Sequence, residues 1–186
     1  MHSREQDAPD RLADELLVVR CQLGEPEAFD TLIGRWHRPL WTYIRRMTGR
    51  DEDAQDILQD VWLRVIRGIP RLRDGTRLRG WLFGITRRAL MDRLRRQYAA
   101  PAYEVLDDDH GQVLFDPIDR EPDFVALEAA LEGMPFGERE VLTLFYLRDL
   151  SLNDMAETLG IPVGTVKSRL FRARQTLRTT IERQER

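Results

Sequence analysis

The sequence predicts an all-α protein: two small helical domains joined by an acidic, flexible linker. Three observations carry that prediction. Apolar residues recur at three- and four-residue spacings along most of the chain, the period of an amphipathic helix. Charge is laid out in blocks, with 3 basic and 8 acidic residues in 1–34, 16 and 7 in 35–98, 2 and 12 in 99–140, and 8 and 5 in 141–186. The third observation is SLNDMAETLGIPVGTVKSRLFRARQTLR, from Ser151 to Arg178, which reads directly as two helices joined by a tight turn. At 186 residues the chain can bury two small cores, and we divide it into 1–98, a linker 99–122, and 123–186.

Residues 10 to 23 form a first helix, with Leu12, Leu16, Val19 and Leu23 on one stripe and Gly24 and Pro26 ending it. A second runs from about Pro26 past Gly34, through Trp36, Leu40, Tyr43, Ile44 and Met47, to Gly49. Pro39 is expected to kink it rather than end it. The aromatics Phe29, Trp36, Trp41 and Tyr43 are read as core.

Asp51 to Arg67, DEDAQDILQDVWLRVIR, is a third helix. Ala54, Ile57, Leu58, Val61, Trp62 and Val65 make its apolar stripe, and Asp53, Asp56, Gln59, Asp60 and Arg64 take the opposite face. Leu63 falls outside the stripe, amid acids and amides. From the residues alone it is either an ordinary exposed leucine or part of a protein docking surface.

Pro70 to Gly80, PRLRDGTRLRG, reads as a loop carrying four arginines, and it leads into a helix from about Leu78 to Tyr98. Leu82, Ile85, Ala89 and Leu94 can face inward, leaving Trp81, Phe83, Arg87, Arg88, Arg93, Arg95 and Arg96 over the remaining surface. Aromatics among arginines suit single-stranded nucleic acid, because every base offers a face to stack on and every phosphate a charge to pair. Core aromatics beside a solvated basic face are an equal reading of each one singly.

From Ala99 to Pro122, seven acidic residues and three prolines break any period, which is the composition of a linker. Asp107, Asp108 and Asp109 beside His110 are read as solvated acid, not as a metal site. The second domain opens near Asp123 with FVALEAALEGM, continues through GEREVLTLFYLRDL, and closes with the two-helix stretch.

In that stretch Ser151 caps the first helix, and Asp154 is placed to reach back to the cap's own N–H. Leu152, Met155, Ala156 and Leu159 form one apolar face, and Gly160 ends the helix where a left-handed backbone is easy for glycine. Pro162 suits the first turn of the next helix, whose Val163, Val166, Leu170, Ala173 and Leu177 face inward. Its other face carries Thr165, Lys167, Ser168, Arg169, Arg172 and Arg174, and no acid occurs from Gly160 to Thr180. A helix apolar behind and donor-rich in front is what a major groove about 12 Å wide admits, so we read a helix-turn-helix. An αα-hairpin with a solvated arginine face is the bland alternative.

Several classes are disfavoured. No stretch approaches the roughly 18 apolar residues of a membrane span, and MHSREQDAPD offers no apolar run for a signal peptide, so a cytoplasmic protein without membrane insertion is expected. Cys21, the only cysteine, excludes an internal disulfide and a thiolate zinc site, and beside Leu17 and Val18 it reads as a buried, inert thiol. His2, His37 and His110 lack metal spacing, there is no phosphate loop, and no nucleophile has an identifiable base. No catalytic residue, metal or cofactor is expected.

Taken in order, DAQDILQDVWLRVIR, RGWLFGITRRALMDRLRR, an acidic linker, GEREVLTLFYLRDLS and LGIPVGTVKSRLFRARQTLR make the chain resemble a sigma-70 family RNA polymerase sigma factor of the extracytoplasmic-function (ECF) group, which keeps regions 2 and 4. The resemblance runs from about Glu27 to Leu177. It implies a transcription initiation factor that binds core RNA polymerase and directs it to promoter DNA. Asp56, Gln59, Asp60 and Leu63 are then the candidate contacts with the clamp helices of the largest polymerase subunit. Arg77, Arg79, Trp81, Arg87, Arg88 and Arg95 are candidates for opening the −10 element and holding a flipped base. Thr165, Lys167, Ser168, Arg169 and Arg172 are candidates for the −35 duplex. The acidic linker is expected to thread polymerase channels as a nucleic-acid mimic, and an anti-sigma factor is an expected partner. Many relatives have Arg-Asn where this chain has Arg87-Arg88. The competing reading is a helix-turn-helix regulator that acts without polymerase docking; it leaves the Asp53–Arg67 and Trp81–Arg96 helices unexplained.

Overall fold

The computed structural model describes residues 7–98, 130–147 and 150–184. All regular structure among them is helical. The linker 99–122 and residues 123–129, where the second domain opens, lie outside the described residues.

In the N-terminal part, α1 (Asp7–Gln22), α2 (Pro26–Thr48), α3 (Asp51–Gly68) and α4 (Leu78–Tyr98) pack as a bundle, with α2 against α1, α3 and α4, and α3 against α4. Helix α2 runs unbroken through Pro39 and stops where Gly49 takes φ 74°, its N–H bonded to the Arg45 carbonyl. Tyr43 and Phe83 are fully buried and meet edge to face, their ring centroids 5.5 Å apart; Trp36 packs on Phe83 in the same way. The core reading of Trp36 and Tyr43 holds, while Phe29 and Trp41 pack part-buried against that core.

Four expectations are corrected. Leu12, Leu16, Val19 and Leu23 do share a stripe, but it faces solvent: Leu23 is 74% exposed, and α1 instead buries Leu17, Val18, Cys21 and Asp14. Two amphipathic faces compete on α1, and the buried one also carries Asp14, whose carboxylate Arg35 of α2 meets at 3.0 Å, offsetting the cost of burying that acid. Asp53 is not on the solvent face of α3; it is buried, accepting hydrogen bonds from Arg93 Nη2 at 3.0 Å and Gln97 Nε2 at 3.2 Å. Phe83 is core, not surface. The stretch 70–80 is not an open loop but two 3₁₀ turns, Ile69–Arg71 and Gly75–Arg77, the second capped by Asp74 accepting from the Thr76 N–H. Gly75 permits that turn to lie on α1, since a Cβ there would stand 2.7 Å from the Glu15 Cα.

In the C-terminal part, α5 (Phe136–Leu142) continues into a π-helical turn (Thr143–Leu147), followed by α6 (Leu152–Leu159) and α7 (Val163–Gln184). Ser151 caps α6 as expected, accepting from the Asp154 N–H at 3.1 Å. The Asp154 carboxylate, however, takes its reciprocal bond from the Ser151 hydroxyl, at 2.6 Å, and not from the cap N–H. Gly160 adopts φ 67° and the Ile161 N–H closes on the Ala156 carbonyl, the left-handed stop read from the sequence. The two parts do not keep separate cores. Helix α6 packs along α4, α2 meets α5, and the buried apolar side chains of both parts form one cluster.

Candidate nucleic-acid interface

The site residues fall on three surfaces, each set by one helix. On α3, burying Ala54, Ile57, Leu58, Val61 and Val65 leaves Asp56, Gln59, Asp60 and Leu63 on the outer side, with Leu63 49% exposed. Asp60 is part-buried and held at 2.7 Å by Arg64, four residues on. Ile66, 47% exposed and one turn beyond Leu63, extends the apolar spot. Sequence reading missed it, although its place off the core stripe was the same signal that singled out Leu63.

The second surface is at the start of α4. Arg77, Trp81 and Arg88 line a cleft of about 300 Å³ together with Arg73, Gly84 and Glu157. Trp81 can lie flat there because Gly68 gives it room; a Cβ on Gly68 would stand 2.9 Å from the indole. Arg79 turns away and stacks over Trp36 at 5.8 Å. Arg87 is drawn under the C-terminal part, where its Nε donates to Glu140 Oε1 at 3.0 Å. Arg95 does not line the cleft. It lies two turns along the Arg88 stripe, about 10 Å further by helix rise, and pairs with Asp92 at 3.0 Å. A part-buried indole between guanidinium groups can stack a base and pair phosphates at once.

The third surface is α7. Val166, Leu170 and Ala173 are buried against the rest of the C-terminal part, so Lys167, Ser168 and Arg172 are exposed and Thr165 and Arg169 half-exposed. Ser168 Oγ donates to the Thr165 carbonyl at 3.0 Å, which aims the hydroxyl back along the helix. Phe171, 60% exposed among these cations, was not singled out from the sequence. Arg174 is not directed at this surface; it lies over the Phe145 and Tyr146 rings at 5.4 Å.

The sequence reading also missed Glu140 and Glu157. Glu140 is 1% exposed and accepts from the Tyr43 hydroxyl at 2.7 Å as well as from Arg87. Burial, reinforced by that carboxylate, raises the Tyr43 phenol well above its ordinary value, so Tyr43 serves as a donor. Glu157 pairs with Arg77 at the cleft edge. The available signal was Glu140 itself, an acid one turn from both Phe136 and Leu144 on an apolar stripe. Among the described residues no group of His, Cys, Asp or Glu could hold a metal ion, and no helix is long and apolar enough to cross a membrane.

A helix-turn-helix, an aromatic and arginine cleft, and a separate acidic and apolar helix face define a two-part, all-helical DNA-binding transcription factor. Comparison with known proteins agrees. Residues 32–99 match Sigma-70 region 2, and residues 124–177 match Sigma-70, region 4. The chain is 34% identical over 168 residues to the ECF RNA polymerase sigma factor SigM of Mycobacterium tuberculosis, covering 89% of this chain and 83% of the relative. It is 30% identical over 175 residues to the ECF RNA polymerase sigma factor SigW of Bacillus subtilis, covering 87% and 92%. The fold matches that of CnrH in complex with the cytosolic domain of CnrY, with a TM-score of 0.68 at 24% identity over 91% of this chain and 97% of the other. It also matches the sigma factor RpoE in complex with the anti-sigma factor NepR from Bartonella quintana, with a TM-score of 0.65 at 21% identity over 83% and 96%. The chain belongs to the sigma-70 family of RNA polymerase sigma factors, in its extracytoplasmic-function group.

Proposed function

We propose that this chain is the promoter-specificity factor that core RNA polymerase carries to a particular set of promoters, acting in the cytoplasm with no catalytic residue and no cofactor of its own. Its work is binding. Asp56, Gln59, Asp60 and Leu63 dock on the clamp helices of the largest polymerase subunit, with Ile66 widening the apolar centre of that contact. Thr165, Lys167, Ser168, Arg169 and Arg172 engage the −35 duplex, where an arginine can pair bidentately with guanine and the remaining donors hold phosphates. Arg77, Trp81 and Arg88 receive a base extruded from the −10 element, and Arg79, Arg87 and Arg95 meet the freed strand. Region 2 occupies 1–98 and region 4 occupies 123–186, with the acidic 99–122 between them. An anti-sigma factor is the second protein partner; both similar structures contain a bound protein.

One observation carries this reading. On α3 Leu63 and Ile66 stand exposed beside Asp56 and Gln59, and at the start of α4 Trp81 lines a cleft with Arg77 and Arg88, two surfaces that a regulator gripping only duplex DNA would not need. The test is whether the purified chain co-elutes with bacterial core polymerase lacking any sigma factor and then yields run-off transcripts from pooled genomic promoter fragments. Binding with discrete transcripts is expected. Duplex binding without polymerase binding would overturn it in favour of the simple regulator.

A further inference from the structure

Of the eight large apolar side chains that stand exposed among the described residues, four lie on α1: Leu12, Leu16, Val19 and Leu23, between 46% and 74% exposed. Single exposed leucines are ordinary, but a contiguous row is not. Its spacing is 4, 3 and 4 residues, the strict heptad alternation of a coiled-coil seam and narrower than the stripe of a helix lying on a core. The core-facing side of α1 is already used, since Asp14, Leu17, Val18 and Cys21 are buried. That burial holds α1 helical, so a partner helix does not have to supply the cost of nucleating it. Helix α1 carries none of the residues assigned above to polymerase or DNA, and the proposed function leaves this row without a use.

The residues beside the seam indicate what fits it. In heptad terms Leu16 and Leu23 take a, Leu12 and Val19 take d, and Glu15 and Arg20 stand at g and e, the first exposed and the second part-exposed. When two such helices pack in parallel, g of one meets e of the other five residues on, which brings Glu15 against Arg20 of a second copy on both sides of the two-fold axis. Glu25 of the same chain takes Arg20 Nε at 2.7 Å, and the fork's other donors are on its outer amino groups. Antiparallel packing would instead set Ala13 beside Arg20 and Glu15 beside Gln22, with no opposite charges. Gln22 Nε2, moreover, already donates to the Ile69 and Leu72 carbonyls at 3.0 and 2.8 Å.

We propose that α1 is a self-association surface: two copies of this chain pair through Leu12, Leu16, Val19 and Leu23 in a parallel, two-fold coiled coil, flanked on each side by Glu15 of one copy and Arg20 of the other. Four side chains make a small interface against the roughly 800 Å² per partner of a standard one, so the pair is weak and forms only as the chain accumulates.

The experiment is sedimentation equilibrium of the full chain in reducing buffer, as wild type, as Leu16→Gln with Leu23→Gln, and as Glu15→Arg. The wild-type weight-average mass should climb from 21.8 kDa toward twice that value between about 1 µM and 500 µM. The double glutamine variant should stay at 21.8 kDa throughout while keeping the wild-type urea midpoint in dilute solution, which separates loss of the seam from loss of the fold. Glu15→Arg puts like charges at both flanks and should weaken the pair about tenfold. Mixing it with Arg20→Glu should recover most of that loss, because opposite charges then face each other at both flanks again. A wild type that stays at 21.8 kDa up to about 500 µM overturns the second copy as occupant and leaves the seam to a helix of another protein. Association that survives the double glutamine variant places the contact elsewhere and overturns it too. Association that needs the leucines but is indifferent to Glu15→Arg overturns the parallel register.

Discussion

Arg169 and Arg172 sit one turn apart on α7, on the side left open when Leu170 and Ala173 are buried. Neither pairs with an acid on its own helix, since no acid occurs between Gly160 and Thr180. Arg169→Ala or Arg172→Ala should therefore weaken binding of the −35 duplex by about 1–3 kcal/mol wherever the arginine pairs bidentately with a base, and should relax sequence preference at that base alone. An arginine that holds a phosphate would, on removal, weaken all sequences alike and reduce the salt dependence of binding by about one unit. Titrating point-mutated −35 duplexes against the assembled holoenzyme separates these cases, and core polymerase affinity should be unchanged in both variants. Gly75 acts in a different way, because its missing side chain is what lets α1 rest on the turn. Gly75→Ala must displace the backbone at Glu15, so it should cost about 1–3 kcal/mol as overpacking does, read as a lower urea midpoint with an unchanged m-value.

At the scale of the helix, α1 offers the sharpest test of which face is structural. Leu16 and Leu17 are sequence neighbours, yet one is 60% exposed and the other 5%. Leu17→Ala should cost about 2–5 kcal/mol and Leu16→Ala no more than about 0.5, both measured by denaturant unfolding. On α3, Asp60→Ala combined with Leu63→Ala should leave unfolding nearly unchanged but reduce competition with another sigma factor for core polymerase; normal competition would put the docking surface elsewhere. These two helices also show what the sequence could reveal. The α6 cap, its glycine stop and the inward positions of α7 were legible because capping and the 3.6-residue period act over a few residues. The direction of α1 was not, because the chain carries two apolar stripes there and the choice between them depends on α2 and the Gly75–Arg77 turn, against which α1 packs. Asp53 looked like a surface acid for the same reason: its partners Arg93 and Gln97 stand 40 and 44 residues away. Glu140 is the extreme case, completed by a tyrosine 97 residues earlier. Periodicity identifies a face; it does not say what that face meets.

For the whole molecule the decisive quantity is the distance between the cleft and α7. The −10 and −35 elements are centred about 25 base pairs apart, on the order of 85 Å along a duplex at 3.4 Å per pair. In the closed arrangement α6, the helix before α7, lies directly on the first turn of α4, so one chain cannot read both elements without opening. The chain has the reach for it. Thirty-one residues separate Tyr98 from Ala130, enough to span on the order of 100 Å fully extended. Gly80 and Asp154 provide a way to forbid that opening, since a Cβ at Gly80 would stand 3.2 Å from the Asp154 Cβ, close to the 3.5–4.5 Å separation of a disulfide. Gly80→Cys with Asp154→Cys should therefore oxidise readily into a locked, compact chain that supports no run-off transcription, and dithiothreitol should restore transcripts. Cys21 will not interfere, because it is buried and burial pushes its thiol up, away from the reactive thiolate. Transcription from the fully oxidised variant would mean that the two elements are read by a closed chain, and the requirement for opening would fall.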